Sequence, residues 1–269
     1  MAALLGGDAE LVVVETTGDR RADTPIHEMG GTGVFVKEVQ QAVLDGRADI
    51  AVHSAKDLPS EQTPGLVIAA VPERGDPRDA LVGSTLADLP NGAVVATGSV
   101  RRRAQLAALR ADVIFADLRG NMETRLAKAA GFDAIVVAAA AFDRLGLEDH
   151  ITERLATSVM LPQVAQGALA VECRDDDAAT RERLATIDDH DAHRAVIAER
   201  AFLAELGGGC DQPVGALAHI TDDGGVEIEG LLASLDGRAV VRRAITGSDP
   251  EAAGRELAEM VVASGEVTR

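Results

Sequence analysis

The feature that most restricts this chain is an alternation of short β-branched runs with helix-spaced segments. Residues 10–16 (ELVVVET), 49–53 (DIAVH) and 66–71 have strand length, and 34–44 carries helical spacing that stops at Asp45-Gly46. Three further strands, 94–96, 113–116 and 133–137, each precede a helix pattern, at 101–109, 122–130 and 139–145. Such repetition predicts βαβ units and mostly parallel or mixed sheets covered on both faces. Turn-rich breaks fall at 72–77 (PERGDP) and 161–163 (LPQ), and a solvated helix start at 175–177 (DDD) leads into 178–185. Beyond Asp211 the pattern becomes strands at 215–220, 226–232 and 239–246 with a closing helix at 250–264. The expectation is an α/β protein of two lobes plus a small α+β C-terminal domain, which 269 residues can accommodate.

Composition excludes several partners. The formal charge of −18 repels nucleic acid and anionic lipid. Aromatics make up only 2%, without Trp or Tyr, so no stacking platform for single-stranded bases is available. No apolar run approaches a membrane span, and residues 1–7 lack the charged and apolar regions of a signal peptide. A cytoplasmic location without nucleic-acid or membrane partners is expected. Cys173 and Cys210 are too few for a disulfide scaffold and lack zinc-ligand spacing; Cys173, in a strand-like run, reads as buried and inert.

Lysine occurs only at Lys37, Lys56 and Lys128, so arginine dominates the 26 basic residues. GC-rich coding would produce the same bias, and position is what gives it meaning. Thr97-Gly98-Ser99 followed by Arg101, Arg102 and Arg103 combines helix N–H groups, hydroxyls and guanidinium groups, an anion site at a helix start. The next unit places Arg119 before an Asn121 cap with Arg125 beyond it, and the third supplies Arg144. Arginines recurring at βα junctions of an acidic chain imply a ligand with several carboxylates or phosphates, since solvated arginines there oppose the helix dipole.

The strand 49–53 leads into Ser54-Ala55-Lys56-Asp57-Leu58-Pro59, where an ammonium sits beside a carboxylate able to move protons. From spacing alone, an ordinary surface Lys-Asp pair is the favoured reading. Gly207-Gly208-Gly209 leaves Cys210 uncrowded, suited to a nucleophile or covalent anchor. Gly30-Gly31-Thr32-Gly33 carries no phosphate-loop pattern and reads as the hinge of a lid.

Together these segments resemble the porphobilinogen deaminase (hydroxymethylbilane synthase) family: GGTGVFVKE (30–38), ADIAVHSAKDLP (48–59), ERGDPRDAL (73–81), TGSVRRRAQL (97–106), LRGNMETRL (118–126), DRLGL (143–147), LPQVAQGALAVECR (161–174) and GGGCDQPVG (207–215). The resemblance implies two lobes like those of periplasmic binding proteins, with domain 1 at 1–74 and 167–187, domain 2 at 75–166 and domain 3 at 188–269. It implies condensation of four porphobilinogens into linear hydroxymethylbilane with loss of ammonia, by a monomeric transferase of tetrapyrrole and heme biosynthesis. Cys210 would carry a dipyrromethane cofactor by a thioether, and Asp57 would be the catalytic carboxylate. Lys56, Ser54, Thr97, Ser99, Arg101 and Arg102 would hold the cofactor, Arg119, Arg125 and Arg144 the substrate, and 20–31 would cover the site. The family pattern also opens with a strand and helix containing Arg-x-Ser-x-Leu-Ala, absent here; residues 1–7 match the tail of that helix, and the chain without it is expected to be less stable or inactive. Two rival readings are a non-catalytic two-lobed protein for a polycarboxylate, and a cysteine hydrolase pairing Cys210 with His53 or His219.

Overall fold

The computed structural model describes residues 1–6, 9–15, 36–208, 212–265 and 267. Helix α1 (Lys37–Leu44) buries Ala42 and Val43 and ends where Gly46 adopts φ +71°, the stop expected from Asp45-Gly46. It covers a sheet of β1 (Ile50–Ser54), β2 (Leu66–Ala70) and β8 (Leu169–Arg174) in the order β1-β8-β2, antiparallel on both sides of β8. A one-residue shift would carry buried Ala51 and His53 to the opposite face of this sheet, so its register is well specified.

The chain then crosses to a second sheet, of order β5-β4-β6-β3-β7, formed by β3 (Asp79–Val82), β4 (Val94–Ala96), β5 (Ile114–Ala116), β6 (Ala134–Ala138) and β7 (Glu153–Arg154). Strand β4 runs parallel to β5 and β6, whereas β3 is antiparallel to β6 and β7. The βαβ reading therefore holds for the middle of this sheet, and the whole is mixed. Helices α2 (Val100–Leu109), α3 (Met122–Ala129) and α4 (Ala139–Leu145) follow β4, β5 and β6. All five residues of β6 are buried, the continuous apolar run of a strand covered on both faces.

Two segments connect these lobes, one leaving β2 and the other returning to β8. They touch at glycines: Gly75 N–H donates to the Gly167 carbonyl at 3.1 Å, and a Cβ on Gly167 (φ +87°) would stand 2.5 Å from the Gly75 carbonyl oxygen. Only glycine permits so close a crossing.

Helix α5 (Ala178–Ala185) packs beside the first sheet, and α6 (His190–Glu205) leads to a meander of β9 (Val214–Ile220), β10 (Val226–Ala233) and β11 (Val240–Gly247), closed by α7 (Pro250–Ala263). One core joins Phe202 and Leu206 of α6, Val214 and Ile228 of this sheet, Ala55 and Leu58 after β1, and Val164 of the return segment. A second contact packs Leu231 and Ala233 against Ala104 of α2 and Leu161. The third unit thus grips both lobes near their crossing. Among the described residues, no helix is long and apolar enough to cross a membrane.

One expectation differs from the structure. Residues 9–15 form no strand, and Leu11 and Val13 are exposed; a β-branched run becomes a strand only where a sheet edge accepts it. Residues 2–6 make a turn in which Leu5 N–H donates to the Met1 carbonyl, and Met1 and Leu5 pack near Ile50 and Val67.

Candidate active site

Strand β1 ends in a 3-10 turn, Ala55–Asp57, pinned from three directions. Ala55 N–H donates to the Ala168 carbonyl at 3.1 Å, Gln163 Nε2 to the Lys56 carbonyl at 3.3 Å, and an Arg200 Nη to the Pro59 carbonyl at 2.7 Å. The turn sets Lys56 against the return segment between the lobes, with Nζ 3.4 Å from Gln166 Oε1, and Asp57 follows it. Asp57 keeps a solvent-open side while protein crowds the others. That crowding raises its carboxyl above the ordinary value, opposed by the positive charge of Lys56, by His53 and by Arg125 of the second lobe. Burial lowers the Lys56 ammonium to about 8, with Asp57 and Asp79 opposing and Arg102 and Arg101 reinforcing. A carboxyl that holds its proton more readily and an amine that gives one up suit proton transfer near neutral pH.

The second lobe supplies the positive charge. Ser99 caps α2, accepting from Arg102 N–H at 3.4 Å, and Thr97 Oγ1 accepts from Ser99 N–H at 3.2 Å. Arg101 and Arg102 lie 3% and 6% exposed and converge on Asp79, which is fully buried at the start of β3. Arg101 reaches Asp79 through both Nη atoms at 2.7 and 3.2 Å, and Arg102 through Nε at 2.9 Å. These partners hold the Asp79 carboxyl far below the ordinary carboxylate value despite its burial. Arg101 also donates to the Leu161 carbonyl at 2.7 Å and Arg102 to the Val136 carbonyl at 3.0 Å. Arg103 serves structure, donating to the Thr97 and Ala116 carbonyls and to Asp117.

Arg125, in the second turn of α3, donates its Nε to the Gly120 carbonyl at 2.8 Å. Its guanidinium lies within electrostatic reach of Arg102, Arg119 and Asp57, and burial makes its charge costlier. Among the described residues neither Arg119 nor Arg125 has a carboxylate in salt-bridge contact, and an entering anion would stabilise both. Arg144 lies in the last turn of α4, not at the βα junction expected from sequence. A cation is favoured there by the helix dipole, and its Nη2 reaches back to the Gly167 carbonyl at 2.6 Å.

Residues 1–182 match the family model "Porphobilinogen deaminase, dipyromethane cofactor binding domain", and residues 193–263 match "Porphobilinogen deaminase, C-terminal domain". The chain belongs to the porphobilinogen deaminase family. Among its relatives are porphobilinogen deaminases of Brevibacillus brevis (45% identical, covering 96% of this chain and 85% of that protein), Acidothermus cellulolyticus (48%; 97% and 82%) and Roseiflexus castenholzii (49%; 94% and 85%). Membership makes it a transferase of tetrapyrrole biosynthesis that works with a dipyrromethane cofactor.

Cys210 and the segment 20–31 fall outside the described residues. The flanks of Cys210 are informative. Gln212 lines a cavity of about 30 Å³ with Ser99, Arg101, Gln163 and Val214. Arg101 Nε, buried, has no hydrogen-bond partner among the described residues. That buried donor, within electrostatic reach of Lys56, fits a cofactor bearing carboxylates. Of the two histidines considered for a hydrolase pairing, His53 is buried with Nε2 3.1 Å from Glu172 Oε2 but without hydrogen-bond geometry, and His219 is exposed beside Glu227 at 3.4 Å. Cys173 is fully buried, as expected, and burial raises its thiol.

Sequence reasoning missed Asp79, Gln166 and Glu199. Glu199 is fully buried on α6, where it takes both arms of Arg74, Ala165 N–H at 2.6 Å and Ala218 N–H at 2.9 Å. The available signal was an acidic residue at the edge of an apolar stretch, DALV for Asp79, and one set among helix-spaced apolar residues, AERAF for Glu199. A charge in such a place is buried and paired, or it is not tolerated.

Proposed function

We propose that this chain condenses four porphobilinogens head to tail into hydroxymethylbilane, with Asp57 as the catalytic proton carrier and Cys210 as the thioether anchor of a dipyrromethane primer. The observation that carries the assignment of roles is the position of Asp57, set between Lys56 on its own lobe and Arg125 on the other. Each addition breaks the C–N bond of an aminomethyl group and releases the nitrogen as ammonia. It forms a C–C bond from that methylene carbon to an unsubstituted ring carbon, which gives up its proton; after four additions one water supplies the hydroxyl with which the linear product is released. Asp57 carries protons on and off pyrrole nitrogen during these exchanges. When bound, the primer supplies the chain end on which growth starts and keeps intermediates from diffusing away.

Each porphobilinogen brings two carboxylates, so charge accumulates as the chain lengthens. Lys56, Ser54, Thr97, Ser99, Arg101 and Arg102 hold the first rings, and Arg119, Arg125 and Arg144 take the incoming acetate and propionate groups. The catalytic lobe comprises 1–74 and 167–187, the arginine-rich lobe 75–166, and the cysteine-bearing domain 188–269. The protein acts as a cytoplasmic monomer without nucleic-acid or membrane partners.

The purified protein is expected to release one ammonia per porphobilinogen consumed. The Arg125→Leu variant should raise KM by about 10- to 100-fold, the worth of a charge-assisted pair, with kcat within about threefold of the parent. Porphobilinogen binding without ammonia release would overturn the enzyme reading in favour of a polycarboxylate-binding protein.

A further inference from the structure

We infer that Gln166 is a positioning residue that holds the Lys56 ammonium of one lobe in fixed register with the Asp79–Arg101–Arg102 cluster of the other. Gln166 is fully buried on the return segment between the lobes. Its Nε2 donates to the Pro77 carbonyl at 2.8 Å and to Asp79 Oδ1 at 2.9 Å, while its Oε1 accepts from Lys56 Nζ at 3.4 Å. The amide orientation is fixed by these partners, since Pro77 O and ionised Asp79 only accept and the ammonium only donates. No other described side chain is bonded to both Lys56 and Asp79.

The backbone is bent to place it there. Ala165 is the one described non-glycine residue with positive φ, at 58°, a left-handed conformation that is sterically unfavourable for alanine. Glu199 Oε2 holds its N–H at 2.6 Å, and Gly167, also left-handed, follows. Strain of this kind persists where surrounding structure imposes it. Here it turns one amide toward both lobes, with Lys56 keeping its other ammonium hydrogens for a ligand. The consequence for the deaminase reading, on which this inference rests, is that a carboxylate spanning the lobes meets an ammonium and guanidinium groups at a set spacing.

The test exploits the scarcity of lysine. Acetylation of Lys56, followed against pH by peptide mass with Lys37 and Lys128 as internal references, reports its ionisation without any need for turnover. The charged groups facing Lys56 are Asp57, Asp79, Arg101 and Arg102, and all remain in the variants. Gln166→Met removes the acceptor, destabilises the ammonium and should speed Lys56 acetylation at pH 7 by threefold or more. Gln166→Glu keeps an acceptor for Lys56 while losing the donor to Pro77 and Asp79, and the negative charge it adds beside the ammonium should slow that reaction by at least as much. In steady state, Gln166→Met should raise KM about tenfold in the parent but less than twofold in a Lys56→Met background, because both remove one interaction. Equal acetylation rates in all three proteins, or shifts of one sign that follow loss of melting temperature, would overturn the inference. A parent that releases no ammonia while the two variants shift Lys56 in opposite directions would sink the deaminase reading and leave this one standing.

Discussion

Asp57→Asn is expected to lower kcat by about 10²- to 10⁴-fold, the usual contribution of a positioned acid–base group, while porphobilinogen still binds. Asparagine keeps the shape of the turn but can neither take nor give the proton. The raised carboxyl of Asp57 should appear in the parent as an acid limb of kcat/KM lying above the ordinary carboxylate range. The alkaline limb should fall near pH 8, where Lys56 loses its charge. Asp57→Asn should abolish the acid limb. Rapid-quench measurement of single additions together with a steady-state pH profile checks both statements. Turnover within about tenfold of the parent would show that another group carries the proton.

Asp79→Asn is expected to unfold the protein more readily than any surface substitution. The carboxylate neutralises two guanidinium groups that are almost wholly buried. Removing one partner of a buried ionic cluster costs about 3–5 kcal/mol, and in a chain of this size that lowers the melting temperature by roughly 6–20 °C. The exposed Arg110–Asp112 pair has comparable bond lengths, yet Asp112→Asn should hardly move the melt, because solvent screens it. The contribution of Asp79 also has a defined pH dependence. Its folded carboxyl lies far below the unfolded value of about 3.9, so its stabilisation is complete above about pH 5, begins to shrink below the unfolded value and is lost as pH falls through the lower folded value. Melting curves of parent and variant should therefore converge in acid. Differential scanning calorimetry from pH 3 to 8 measures the difference, and an equal gap at every pH would show that packing, not charge, is what Asp79 contributes.

The sequence carried much of this architecture because local signals and tertiary context agree. Helices α2 and α3 start at Ser99 and Asn121, whose side chains cap them, and α4 stops at left-handed Gly146. Strands β4, β5 and β6 are β-branched runs with helices after them. Where the reading failed, context prevailed. Strands β3 and β7 pair antiparallel at the side of the second sheet, with Asp79 and Arg154 obscuring an apolar pattern. Helix α6 went unread although Asp189 caps it and Ala195, Ala198 and Phe202 recur at helical spacing; its small alanines and inward Glu199 weaken the contrast between faces.

The candidate site divides in the same way. Lys56, Asp57, Arg119 and Arg125 follow from strand ends and helix starts, positions where side chains reach a cleft. What spacing could not reveal is which charges are already occupied. Arg101 and Arg102 look alike in sequence to Arg125, yet a buried aspartate from another strand engages the first pair. That distinction depends on a contact more than twenty residues away in the chain, and periodicity carries no trace of it. Arg144 likewise reads as a junction residue until its helix is seen to end there.

The central claim is that Cys210 carries a covalent primer used for chain growth. The most direct measurement is the intact mass of the purified protein under denaturing conditions, beside a Cys210→Ser control. The account predicts extra mass equal to two linked pyrrole units on the parent, none on the control, and one further substrate residue added per equivalent of porphobilinogen supplied. A parent with the bare polypeptide mass that still consumes porphobilinogen would contradict it.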